Sequence, residues 1–157
     1  MAQALAVAGL PLAAVTAIYT AYLLAQAKAR DLWQNPLLPP HLLVQALLAG
    51  AGAALPVATW LEPALVLPLG MVLGASAGAH LLLVLGEITL PHATAHAHLA
   101  SRMLTRDRVF WLGQALLAAA VALAAAGLPV AAAPLALIGL AAHEHAYIQA
   151  GQGVPLA

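Results

Sequence analysis

Two sets of residues capable of proton chemistry lie inside long apolar runs of this 157-residue sequence: His80 with Glu87, and the consecutive His143, Glu144 and His145. An imidazole gains and loses a proton near neutral pH, and a carboxyl group held beside it can take or return one. His80 and Glu87 are seven residues apart, a spacing that returns to the same face of a helix after two turns. Thr16 and Thr20 share a face by the same rule, with Tyr19 beside them. Tyr19, Thr20, His80, Glu87, His143 and Glu144 are therefore candidates for a proton path. A third set, His92, His96 and His98, occurs in Pro-His-Ala-Thr-Ala-His-Ala-His. His92 and His96 are four apart, but no adjacent carboxylate completes a ligand set and the pattern is not His-Glu-x-x-His, so no metal site is predicted. These three are expected to collect protons on a helix at the membrane surface. The chain has no cysteine, which removes disulfides, iron–sulfur ligation and thiolate zinc sites.

The elements that must position these groups follow from composition. The sequence is 64% hydrophobic and 6% charged, with a mean hydropathy of +0.97. Soluble domains carry about 25% charged residues, so an integral membrane protein is expected. Five Lys/Arg balance five Asp/Glu, leaving no basic face for nucleic acid. A crossing helix needs about 20 mostly apolar residues. Five stretches qualify: Leu5–Ala27, Leu37–Ala58, Ala64–Leu90, Val109–Ala126 and Pro129–Gln149. The first has no basic leader and carries Thr16, Tyr19 and Thr20, so it does not read as a cleavable signal. Asp31–Pro36, Glu62-Pro63 and Gly127-Leu128-Pro129 supply turns. The predicted fold is an all-α transmembrane bundle of about five spans in a single domain.

Lys28 and Arg30 fall in the first loop and Arg102, Arg106 and Arg108 in the third, while the other loops have no basic residue. By the positive-inside rule this end is cytoplasmic, with the N-terminus outside and the C-terminus inside. The polar intramembrane residues, including His41, Gln45 and Gln114, then all lie at mid-depth or in the inner half. Because an ionisable group at mid-membrane costs at least ~2.5–3.5 kcal/mol on insertion scales, a polar half-channel reaching His80 is expected. Gly70, Gly74 and Gly78, at four-residue spacing, are expected to let a neighbouring helix approach. Two other classes suit the same residues: a small transporter or channel, and a haem-b anchor with His80 as an axial ligand.

Three segments carry a resemblance. Thr16-Ala-Ile-Tyr-Thr-Ala-Tyr-Leu-Leu leads through Arg30-Asp-Leu-Trp-Gln-Asn-Pro-Leu-Leu to His41-Leu-Leu-Val-Gln-Ala-Leu. Leu85-Gly-Glu-Ile-Thr-Leu-Pro-His-Ala-Thr-Ala-His follows, and the chain ends in His143-Glu-His-Ala-Tyr-Ile-Gln-Ala-Gly-Gln-Gly-Val-Pro-Leu. Together they resemble the C-terminal half of the NrfD/polysulfide-reductase membrane subunits, most specifically at Trp33–Leu38 and Gly151–Leu156. The resemblance implies a haem-free subunit of a quinone-linked respiratory complex in the cell inner membrane. Its partners would be a ferredoxin-like iron–sulfur subunit and a molybdopterin catalytic subunit. Menaquinone or ubiquinone would bind where a partner meets the membrane subunit, at residues the sequence does not identify. Such subunits have two four-helix bundles, so spans one to four would form the second bundle and span five a terminal helix. A further membrane subunit, or a second copy of this chain, would supply the first bundle.

Overall fold

The computed structural model describes residues 2–155, with side chains from Val7 to Pro155; Leu5 at the start of the first predicted span has its side chain outside these limits, and Leu156 of the C-terminal motif lies wholly outside. The described residues form six helices and no strand: α1 (Ala2–Ala25), α2 (Leu38–Leu61), α3 (Val66–Thr89), α4 (Ala95–Arg106), α5 (Arg108–Ala125) and α6 (Pro129–Gly153). At 1.5 Å per residue, the 24-residue helices α1, α2 and α3 are each about 36 Å long, enough to cross a bilayer.

Local chemistry sets the boundaries. Asn35 Oδ1 accepts a hydrogen bond from the Leu37 N–H at 2.9 Å, forming a turn that launches α2. Pro39 and Pro40 follow within its first turn, where a missing N–H costs nothing. Pro63 starts a short 3-10 turn, Pro63–Leu65, that precedes α3, so α3 begins two residues later than the apolar run suggests. Thr94 caps α4 by accepting from the Ala97 N–H, and Asp107 caps α5 by accepting from Val109. Gly127, with φ +79°, closes the three-residue turn between α5 and α6 in a conformation other residues rarely adopt.

Four segments are long and apolar enough to cross a membrane: Val7–Ala25, Leu38–Leu61, Pro63–Thr89 and Arg108–Ala125. The fifth predicted span, α6, is not among them, because His143, Glu144, His145 and Gln149 dilute its second half. It nevertheless runs the length of the bundle. Its first residue, Pro129, packs on Gly70 near the start of α3, and Gly151 near its end packs under Trp33.

The arrangement also reverses the expected roles of the first and last spans. α6 is the central helix, packed against α2, α3, α4 and α5, whereas α1 contacts chiefly α2 and the 3-10 turn at Asp31–Gln34. Its polar side chains meet partners on its neighbours, which is why low hydropathy and deep burial coexist. The four-helix unit is thus α2, α3, α5 and α6, with α1 lying outside it.

Close packing depends on two glycines. A Cβ on Gly113 would stand 2.8 Å from the Gly139 carbonyl oxygen, and one on Gly139 would stand 2.9 Å from that of Gly113. Helices α5 and α6 therefore touch backbone to backbone. Of the predicted packing glycines, Gly70 and Gly74 do admit neighbours, Pro129 and Ala124; Gly78 faces open space.

At one end of the bundle the two motifs most specific in the sequence dock on each other. Arg30 Nη1 donates to the carbonyls of Gly151, Gln152 and Val154 at 2.9–3.2 Å, capping α6. Tyr147 Oη donates to the Leu32 carbonyl at 3.1 Å, and Thr94 Oγ1 donates to Asp31 Oδ2 at 2.5 Å. These contacts gather the first loop, α4 and the end of α6, so all five Lys/Arg lie at this end. Trp111 stands at the same end, its indole N–H donating to Thr105, and exposed Trp60 stands at the other, a placement suited to the two membrane interfaces.

Candidate functional site: a buried histidine relay

Two apolar clusters fill the bundle. Leu48, Leu55, Leu73, Leu117 and Ala136 belong to one, and Trp33, Leu38, Val84, Phe110 and Tyr147 to the other. The residues between them along each helix are polar: His41 and Gln45 on α2, His80 on α3, Gln114 on α5 and His143 on α6, all buried. His80 is nine residues from the end of α3, about 14 Å along the axis, and is 0% exposed.

The side chains of this layer form a chain. Glu87 Oε1 is 2.9 Å from His41 Nδ1, and His41 Nε2 is 2.8 Å from His80 Nδ1. The His80 and His143 rings meet edge to face with centroids 4.6 Å apart, and Gln114 Nε2 donates to His143 Nδ1 at 3.1 Å. With Glu87 ionised, one set of tautomers satisfies every bond. His41 Nδ1–H donates to the carboxylate, His80 Nδ1–H donates to His41 Nε2, and His143 keeps its proton on Nε2. A proton taken up at Glu87 would reverse the sequence, each ring accepting on one nitrogen and releasing from the other. His80 Nε2 and Glu87 Oε2 are buried with no hydrogen-bond partner among the described residues.

The relay meets a cavity at Glu87. A space of about 440 Å³ is lined by Glu87, Gly86, Asp31, Asn35, His92 and Thr94 among others, and lies on the basic end of the bundle. Beyond Gln114 in the other direction lie Leu48, Leu73 and Leu117, all fully buried. The polar track therefore opens at one end and stops at mid-depth.

The structure brings together His80, Glu87 and His143 of the predicted path. Glu144 lies one residue aside and half-buried beside Gln45, close enough to His41 and Glu87 to interact with their charges but sharing no hydrogen bond with them among the described residues. Tyr19 and Thr20 are placed elsewhere: Tyr19 is 55% exposed and Thr20 is exposed, both on α1 outside the four-helix unit. Of the histidine-rich stretch, His92 lines the Glu87 cavity, while His96 and His98 do not. His145 is exposed. The residue that sequence reasoning undervalued is His41, noted only for its depth, yet it links Glu87 to His80. Spacing along a helix identifies companions on that helix and is silent about a partner on another. The one available signal was that a histidine four residues before Gln45 marks a polar face of α2.

His41, His80 and His143 also each present a ring nitrogen within 4.8 Å of the others, a set that could hold a metal ion. The 2.8 Å separation of His41 Nε2 and His80 Nδ1 is also that of a hydrogen bond, which would have to be given up for both nitrogens to ligate. For a haem, His80 would need an iron and a porphyrin plane between it and a second imidazole, and its nearest imidazoles lie directly against it, with centroids 4.6 Å away. The residues do not fit that group.

No curated protein and no solved structure matches the chain. The family model described as polysulphide reductase, NrfD, matches residues 1–154, which covers the apolar helices, the relay and the docked motifs together. The chain belongs to the polysulphide reductase NrfD family, as a multi-pass membrane protein.

Proposed function

We propose that the chain is an integral membrane subunit of a quinone-linked respiratory oxidoreductase, and that it carries protons between its basic end and mid-membrane. The observation that carries the proton path is the unbroken hydrogen-bonded run Glu87–His41–His80, whose first member lines a cavity open at the basic end. Buried ionisable groups in a membrane bundle are costly, and three of them in hydrogen-bonded sequence support a relay. Family membership supports the rest of the reading. A ferredoxin-like iron–sulfur subunit and a molybdopterin subunit are the proposed electron-carrying partners, with quinone bound where a partner meets this chain. The exposed face of α1 is available for another membrane bundle, either a separate subunit or a second copy of this chain. The basic end faces the cytoplasm of the inner membrane, which places the N-terminus outside and the C-terminus inside.

The test uses the purified complex reconstituted in vesicles, with proton movement followed by a trapped pH dye during quinone turnover. Glu87→Gln keeps the shape of the side chain and removes its exchangeable acid proton. It is expected to lower proton movement about tenfold or more while subunit composition is unchanged. Full proton movement by a correctly assembled Glu87→Gln complex would overturn the relay. Isolation of the chain without any iron–sulfur partner would overturn the respiratory assignment.

A further inference from the structure

A second cavity, of about 260 Å³, lies where the end of α3 meets α4. Its polar lining includes His92, His98, Ser101, Arg102 and Thr105, and it contains no Asp or Glu. Residues 98, 101, 102 and 105 follow the three-and-four spacing of one helix face, so α4 turns a stripe of donors into the space. Ser101 is 6% exposed, and the His92 and His98 rings stand 5.7 Å apart across the opening. Arg102 forms no ion pair among the described residues, whose one side-chain salt bridge is His41–Glu87. A guanidinium, two imidazoles and the Ser101 hydroxyl line a space with no acid in its own lining, the donor chemistry that a phosphate group takes; the Thr105 hydroxyl already donates to the Ser101 carbonyl.

The surroundings identify which phosphate. The cavity sits at the level where the apolar length of α3 gives way to the amphipathic α4, which is the depth of lipid headgroups. Leu90 lines it, and Leu82 and Leu85 continue down the exposed side of α3. A free anion would use only the polar pocket, whereas a phospholipid would place its phosphate there and an acyl chain along those leucines. We propose that His98, Arg102 and their neighbours bind the phosphate of an anionic phospholipid on the basic side of the membrane. The site adjoins the Glu87 cavity, with which it shares Leu90, Pro91 and His92, while His98 and Arg102 line this space alone.

The experiment is native mass spectrometry of the full chain, in whatever complex it purifies with, delipidated in neutral detergent. Phosphatidylglycerol, phosphatidylcholine or inorganic phosphate is then added. Phosphatidylglycerol is expected to be retained in preference to phosphatidylcholine, and Arg102→Ala to reduce that retention about fivefold or more. Arg102→Lys, which keeps the charge, should recover part of it, and this variant guards against a simple folding defect. Equal retention of the two lipids, or undiminished phosphatidylglycerol binding by Arg102→Ala, would overturn the proposal. Displacement of the lipid by millimolar inorganic phosphate would show a free-anion pocket and would equally overturn it.

Discussion

The two ends of this bundle are built by opposite means. From the Gly113–Gly139 crossing at mid-depth to the end away from the basic residues, helices meet through glycine and alanine, and Leu48, Leu55, Leu73 and Leu117 fill the remaining space, with the buried Ser76 hydroxyl bonded to the Val72 carbonyl of its own helix. At the basic end, position is set by named hydrogen bonds: Arg30 on the last carbonyls of α6, Tyr147 on Leu32, Thr94 on Asp31 and His41 on Glu87. In lipid there is little hydrophobic force between apolar helices, so close backbone contact supplies the first kind of order. The second kind fixes individual atoms, which a proton path requires. One end is specified by shape and the other by bonding.

That contrast can be broken at either end. The largest effect is expected from Gly139→Val, which drives a side chain into the Gly113 backbone and Leu117. Overpacking costs about 1–3 kcal/mol and occasionally more, and here the nearest atom is the Gly113 carbonyl oxygen, backbone that cannot swing aside, so a cost above ~3 kcal/mol is expected. The thermal transition of the purified protein should fall sharply, and assembled complex should be recovered poorly. His41→Leu comes next. It removes both of the ring's hydrogen bonds and strands the Glu87 carboxyl in the interior. Loss of a buried partner of this type costs about 3 kcal/mol, and proton movement should drop as far as in Glu87→Gln.

The fold was largely legible in the sequence, because apolar length and turn residues act locally. Five long helices and the short surface helix after Pro91 stand close to where the pattern puts them. Their order of burial was not legible. Helix α1 carries Thr16, Tyr19 and Thr20 in an otherwise apolar run that does not say which side meets the bundle, and these side chains lie exposed outside the four-helix unit. For α6 the polar second half lowers its hydropathy, while one of those residues, His143, is buried at the centre with Gln114 as its partner. His80 and Glu87 were found because two turns of one helix join them. His41 was missed as their link because it belongs to another helix.

Smaller effects sharpen the comparison. Arg30→Ala removes three hydrogen bonds to the end of α6 from a partly exposed side chain, and should lower stability by about 1–2 kcal/mol. Hydrogen exchange should rise at residues 150–154 and remain unchanged at the Gly113–Gly139 crossing. Tyr147→Phe removes a single bond to Leu32, and about 1 kcal/mol is expected, read as a small shift in the thermal transition. Gly78→Ala, at a position with nothing within 4 Å, should leave the thermal transition unchanged or raise it slightly, because alanine is the better helix former.

The dead end of the polar track at Gln114 has an electrical consequence. Moving a unit charge across a membrane costs about 2.3 kcal/mol per 100 mV, and that work is spent where the medium is least polarisable. The Glu87 cavity and the imidazoles beneath it form the more polarisable half, and the leucine layer beyond Gln114 the insulating half. On the proposed relay, a proton reaching His80 from the basic side would have crossed the smaller share of the voltage. The larger share would fall across the apolar half, so a displacement of charge past Leu48, Leu73 and Leu117 is the step that the membrane potential would drive or resist.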